Sequence, residues 1–167
     1  MLKELLEKRR SIRKYLSLPV EEEKLLSIAE AFRLAPSAKN RQEWTLYAVS
    51  DPAVKAAIRK ASPAGQPMLE EAPVILVATG SKTGDMTNSH RADTIDVTIT
   101  FSYALLQAAE LELGTCWMAN YIESGVRSAM GLPDDIRIAA ISPLGYPAEM
   151  PAARPRKAIA EVFETRS

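Results

Sequence analysis

The stretch from Asp93 to Leu113 constrains this chain most. Ile95, Val97, Ile99, Phe101, Leu105, Leu106, Ala108 and Ala109 leave it apolar on most sides. A helix of that kind has no face to offer water, so it belongs in the middle of a structure, often at a subunit interface. Asp93 or Thr94 is placed to cap it, Asp96 falls in its first turn, and Gly114 stops it. The run from Pro73 to Thr79, with Val74, Ile75, Leu76 and Val77, is continuously apolar and reads as a buried strand.

The remaining elements arrange themselves around these two. Leu2, Leu5 and Leu6 share one face of a first helix that ends near the basic run from Arg9 to Lys14. Glu21, Glu22 and Glu23 suit the positive end of a second helix, whose buried stripe is Leu25, Ile28, Ala29 and Phe32. Pro36 closes it. A polar loop from Ser37 to Glu43 leads into a strand from Trp44 to Val49. Asp51-Pro52 opens a short helix to about Lys60, and Ser62 to Pro67 is a loop by its Pro and Gly content. Gly80 to Arg91 is a polar loop. Thr115 to Tyr121 reads as a strand, Glu123 to Met130 as a short helix, and Ile136 to Leu144 as the last core strand. Gly145-Tyr146-Pro147 then turns the chain into a Pro-rich tail. The pattern is about four strands and five helices, an α+β or α/β class in one domain over residues 1–167.

Several chemistries are not offered. Lys+Arg and Asp+Glu both number 21, so net charge draws the chain to neither nucleic acid nor an anionic membrane. The N-terminus lacks the uninterrupted apolar core of a signal peptide and no apolar run spans a bilayer, so a cytoplasmic protein is expected. There is no G-x-G-x-x-G and no G-x-S-x-G. Gly80 to Gly84 looks a little like a Walker A loop, but Ser81 and Leu76 stand where its glycines must be. His90, the only histidine, and Asp93 are too few for zinc; an exposed loop histidine is expected. Cys116, the only cysteine, lies beside Trp117 in an apolar stretch and reads as a buried structural thiol.

What remains is a cationic group at each end of the chain. Arg9, Arg10, Ser11, Arg13 and Lys14 lie after the first helix, and Arg154, Arg156 and Lys157 lie in the tail. Guanidinium forks and a hydroxyl are what phosphate recognition uses. The alternation Arg9–Ser11–Arg13 would aim three side chains at one object from an extended backbone. On composition alone, a solvated basic face is the simpler account. Pro36 to Trp44 is a second feature, because Asn40 and Gln42 each carry donor and acceptor and can read the edge of a heterocycle. An ordinary helix-to-strand turn explains it as well. Leu113-Gly114-Thr115-Cys116-Trp117 is a third, or simply a helix stop before a core strand.

Taken together and in order, these elements resemble the nitroreductase family. Arg9-Arg10-Ser11-Ile12-Arg13 is similar to its opening R-x-S-x-R/K element, and Pro36 to Trp44 to its P-S-x-x-N-x-Q-P-W element. Leu113 to Trp117 resembles its L-G-T-C-W element, and Gly145-Tyr146-Pro147 with Arg154-Pro155-Arg156-Lys157 resembles its tail. The resemblance implies a three-layer α+β fold with a central mixed, mainly antiparallel sheet flanked by helices. It also implies an intertwined homodimer with FMN at the interface and a tail, about residues 148–167, reaching the partner. By the same resemblance Arg9, Arg10, Ser11 and Arg13 would line the flavin, with Arg156 and Arg154 returning to its phosphate. Asn40 would bond the pyrimidine edge, Gln42 would support that loop, and Pro36, Ser37 and Ala38 would approach the flavin held mainly by the other subunit. Met118, Ala119 and Asn120 would place backbone groups near the reactive nitrogen. Glu43, Ala119, Asn120 and Glu112 depart from the family pattern of Pro at the first position and glycine at the others. The implied activity is hydride transfer from NAD(P)H and reduction of a nitroaromatic, quinone or similar acceptor by a ping-pong mechanism, with no catalytic side chain and no metal assigned. Reduction of another conjugated or halogenated substrate, a flavin carrier or sensor without turnover, and a cofactor-free structural dimer are the other readings.

Overall fold

The computed structural model describes residues 2–63, 66–81 and 86–166. Parts of the loops expected at 62–67 and 80–91, including Lys82 to Gly84 of the Walker-like run, lie outside the described residues. Among the described residues the helices are α1 (Leu2–Lys8), α2 (Glu22–Arg33), α3 (Pro52–Lys60), α4 (Met68–Glu71), α5 (Ala92–Glu110) and α6 (Glu123–Ala129). The strands are β1 (Trp44–Val49), β2 (Val74–Ser81), β3 (Gly114–Thr115) and β4 (Ile136–Gly145). They form one sheet in the order β1-β2-β4-β3 with every ladder antiparallel. A single parallel bridge, Ser11 to Thr115, adds the mixed element.

The apolar run of β2 is explained by burial on both faces. Ile75 and Val77 point into a core with Ile58, Leu69, Val126 and Ile141, under α3, α4 and α6. Val74, Leu76 and Ala78 point the other way, into a core with Ile28, Phe32, Val97, Phe101 and Leu105 from α2 and α5. Helices therefore cover both faces, and the fold has three layers. Each of these buried Val, Leu, Ile and Phe side chains stabilises by about 1.5–3 kcal/mol relative to exposure. Local chemistry sets the ends of α3: the Asp51 carboxylate accepts from the amides of Ala53 at 2.8 Å and Val54 at 3.0 Å, with Pro52 in the first turn.

Three local expectations are corrected. Ala29 is exposed, because the buried face of α2 narrows to Ile28 and Phe32. The N-cap position of α5 belongs to Arg91, not Asp93 or Thr94. Asp93 lies inside the first turn, where its carboxylate accepts from the Thr94 amide at 2.6 Å and pairs with Arg91 at 2.5 Å. The strand expected over Thr115–Tyr121 stops at Thr115. There the Cys116 amide turns to the Ser142 hydroxyl at 3.0 Å, and Trp117 packs edge-on against Phe101 at 4.9 Å. Only the Met118–Ile141 bridge continues the pairing. No helix among the described residues is long and apolar enough to cross a membrane.

Candidate active site

The two basic clusters meet. A cleft of about 540 Å³ is lined by Leu6, Glu7, Arg9, Arg10, Ser11 and Arg13 on one side and by Pro151, Ala152, Ala153, Arg154 and Arg156 on the other. The backbone brings them together where Leu16 donates its amide to Tyr146 at 2.9 Å and Ala148 donates to Lys14 at 2.9 Å, and the first cluster is anchored on the sheet edge as well. The Ile12 amide donates to Thr115 at 2.8 Å, and Gly114 lies so close to Ile12 that a Cβ there would sit 2.8 Å from the Ile12 Cβ. Glycine at position 114 is thus required by close approach rather than by backbone conformation. Lys157 is not part of the cleft lining.

The charges in this cleft are not balanced from within. Among the described residues, no group accepts a hydrogen bond or ion pair from the side chains of Arg9, Arg154 or Arg156. The Glu7 carboxylate is turned to Lys3 at 3.7 Å. Arg10 spends its Nη1 on the carbonyls of Glu7 and Arg9 at the end of α1, while its buried Nε has no partner. Uncompensated guanidinium groups beside a hydroxyl fit a phosphate dianion. Cys116 lies behind this wall; burial pushes its thiol up, against the opposing pull of Arg13 and Ser11, so a structural, neutral thiol results.

The other sequence-selected residues lie elsewhere. Pro36, Ser37, Ala38, Asn40 and Gln42 form a tight loop around a 3-10 turn, Ala38–Asn40. The Ser37 hydroxyl accepts from the Gln42 amide at 3.0 Å, Gln42 Nε2 donates to Asn40 Oδ1 at 3.1 Å, and Asp96 accepts from the Ala38 amide at 3.1 Å. Lys39, Asn40 and Gln42 all hold φ at 54°, a left-handed conformation that stores strain in side-chain-bearing residues. Glu43, at the end of this loop, accepts the Ser81 amide through its carbonyl at 3.1 Å. The loop therefore sits where β4 begins, whereas the basic cleft sits where β4 ends. A strand of that length puts the two about 30 Å apart in one chain. Met118, Ala119 and Asn120 lie between them, beside the middle of β4 through the Met118–Ile141 bridge.

A family comparison decides what kind of protein carries this arrangement. The family model described as the nitroreductase family matches residues 6–66 and 62–146. The chain belongs to the nitroreductase family. Among family relatives, the chain is 34% identical to the NADH dehydrogenase of Thermus thermophilus, over 85% of this chain and 84% of that protein. Its fold matches the crystal structure of a nitroreductase family protein from Clostridium novyi NT with a TM-score of 0.85 at 28% identity, over 89% of this chain and 86% of that one. It also matches an FMN-dependent nitroreductase from Clostridium difficile with a TM-score of 0.85 at 28% identity, over 98% of both.

Sequence reasoning missed a second cavity of about 300 Å³ beside Ala119, lined among others by Arg91, Thr94, Tyr121, Glu123 and Arg137. Its arginines are clamped, Arg91 by Asp93 at 2.5 Å and Arg137 by Glu123 at 2.7 Å. Ala119 was the only one of these positions that the family pattern marked. His90 is exposed in its loop, and no group of metal-binding side chains exists among the described residues.

Proposed function

We propose that this chain is an FMN-dependent oxidoreductase that works as a homodimer, with NAD(P)H as donor and a nitroaromatic, quinone or similar conjugated compound as acceptor. The observation that carries the reading is the cleft in which Arg9, Ser11 and Arg13 from one end of the chain face Arg154 and Arg156 from the other. FMN, when bound, would supply the redox chemistry, two-electron transfer from NAD(P)H to the acceptor. Arg9, Arg13, Arg154 and Arg156 would hold the phosphate, Ser11 would add a hydroxyl, and backbone groups of Met118 to Asn120 would serve the ring. Asn40, with Gln42 and the segment Pro36–Ala38, would contact a flavin held by the opposite subunit.

The dimer is supported by two features of the single chain. The separation of about 30 Å along β4 keeps the Asn40 loop from reaching a flavin held in the same chain's cleft. The tail beyond residue 148 carries Met150, Ile159, Val162 and Phe163, each more than half exposed, as are Leu2 and Leu6 of α1. Exposed apolar side chains at both ends of the chain are what a subunit interface would cover. The test is anaerobic. FMN-loaded protein mixed with NAD(P)H should lose its flavin absorbance and regain it when a quinone or nitroaromatic is added. Steady-state rates with both substrates varied should give parallel double-reciprocal lines. Bound flavin that stays oxidised under NAD(P)H would replace the enzyme with a carrier.

A further inference from the structure

Residues 13–16 and 146–149 zip together, and the last contact of the zip is a side chain. Leu16 donates its amide to Tyr146 at 2.9 Å, Ala148 donates to Lys14 at 2.9 Å, and Tyr15 and Pro147 form the antiparallel bridge between them. At the next step the Arg13 amide donates to Oε1 of Glu149 at 2.8 Å. Glu149 is half-buried and lies two residues before Pro151, where the tail enters the cleft wall. A carboxylate beside a cleft of arginines opposes a phosphate by charge, so its placement calls for a positional reason.

We infer that Glu149 is a positioning residue for the cofactor phosphate: by holding the Arg13 amide it fixes the tail's Arg154 and Arg156 opposite Arg9, Ser11 and Arg13. The inference rests on the FMN reading above. Its contribution is preorganisation, since two clusters already held at the right separation lose less freedom when the phosphate joins them. Two effects of Glu149 therefore have opposite sign. Its charge repels the dianion, and its hydrogen bond assembles the site. Glu149→Gln removes the charge and keeps an acceptor for the Arg13 amide; Glu149→Ala removes both.

The experiment titrates FMN into the full chain and follows the quenching of flavin fluorescence, for the wild type and both variants. E149A should bind FMN about tenfold more weakly, and E149Q as tightly as the wild type or more tightly. A purely electrostatic role requires both variants to tighten binding. The inference is overturned if E149A binds as tightly as the wild type, or if E149Q is as weak as E149A. A wild type that binds no FMN would instead remove the FMN reading itself. Should E149A fail to fold, Glu149→Asp, one methylene shorter, takes its place with the same expected weakening.

Discussion

Replacing Glu112 by glycine should stabilise this protein. Helix α5 ends in a Schellman motif: Leu113 donates its amide to Ala108 at 2.9 Å, and Glu112 donates to Ala109 at 3.2 Å. That geometry places Glu112 at φ 63°, where a β-carbon crowds the backbone. Left-handed conformation costs a side-chain-bearing residue about 1–2 kcal/mol, which glycine avoids. Glycine returns part of the gain through the greater freedom of the unfolded chain, about 0.5–1 kcal/mol. The ion pair with Lys8 at 3.6 Å is lost too, but both side chains are more than half exposed, so it contributes little. The net is a stabilisation of about 0.5–1 kcal/mol, or a rise in Tm of roughly 1–4 °C for a chain of this size. Differential scanning calorimetry of the wild type, Glu112→Gly and Glu112→Ala checks it. Alanine keeps the conformational cost and loses the ion pair, so only glycine should raise Tm. If alanine raised Tm as much, or glycine lowered it, the backbone argument would be refuted.

Other perturbations probe the cleft and its scaffold. Arg13→Ala should weaken FMN binding by about 1.5–3 kcal/mol, roughly tenfold to a hundredfold in Kd, through loss of a charge-assisted contact. Unchanged affinity in a fluorescence titration would remove Arg13 from the site. Gly114→Ala drives a Cβ into Ile12 and should displace Ser11 and its neighbours, lowering both Tm and FMN affinity; a variant with wild-type values for both would show the contact is readily relieved. Asn40→Ala removes the side-chain acceptor for Gln42, leaving the backbone carbonyl, and should shift flavin affinity or redox potential while sedimentation still reports the wild-type oligomer. Burial pushes the Glu123 carboxyl up, but the Ile138 amide and the guanidinium groups of Arg137 and Arg127 pull it further down, so it lies below the usual glutamate range when folded. The unfolded chain then binds the extra proton. This stability is present above the ordinary glutamate value and is lost as pH falls through the depressed one. Glu123→Gln should flatten the acid side of the Tm–pH curve, and an unaltered slope would refute the linkage.

Much of the fold was legible because short-range chemistry marked it. Asp51-Pro52 fixes the start of α3, and the apolar run of β2 reads as a buried strand, which the structure buries on both faces. Gly114 marks the end of α5, although the left-handed position itself falls on Glu112, where composition gives no warning. Thr115 to Tyr121 misled because its apolar residues are divided among partners that only tertiary packing supplies: Ser142 for the Cys116 amide, Phe101 for Trp117. The basic cleft was anticipated as two clusters, and their meeting follows from the pairing of residues 14–16 with 146–148. Sequence order could not reveal that the Asn40 loop and the cleft occupy opposite ends of β4. Sheet register sets that distance, and it is what supports the proposed second subunit. Glu149 and the cavity beside Ala119 carried no motif and emerged only from geometry.

The central claim is that arginines from both ends of the chain converge to hold a flavin phosphate. Equilibrium titration with FMN and with riboflavin, which lacks that phosphate, tests it most directly. The account predicts stoichiometric FMN binding and riboflavin binding weaker by at least about tenfold, with the difference shrinking as salt is raised. Equal affinity for the two flavins, or no binding of either, would contradict it.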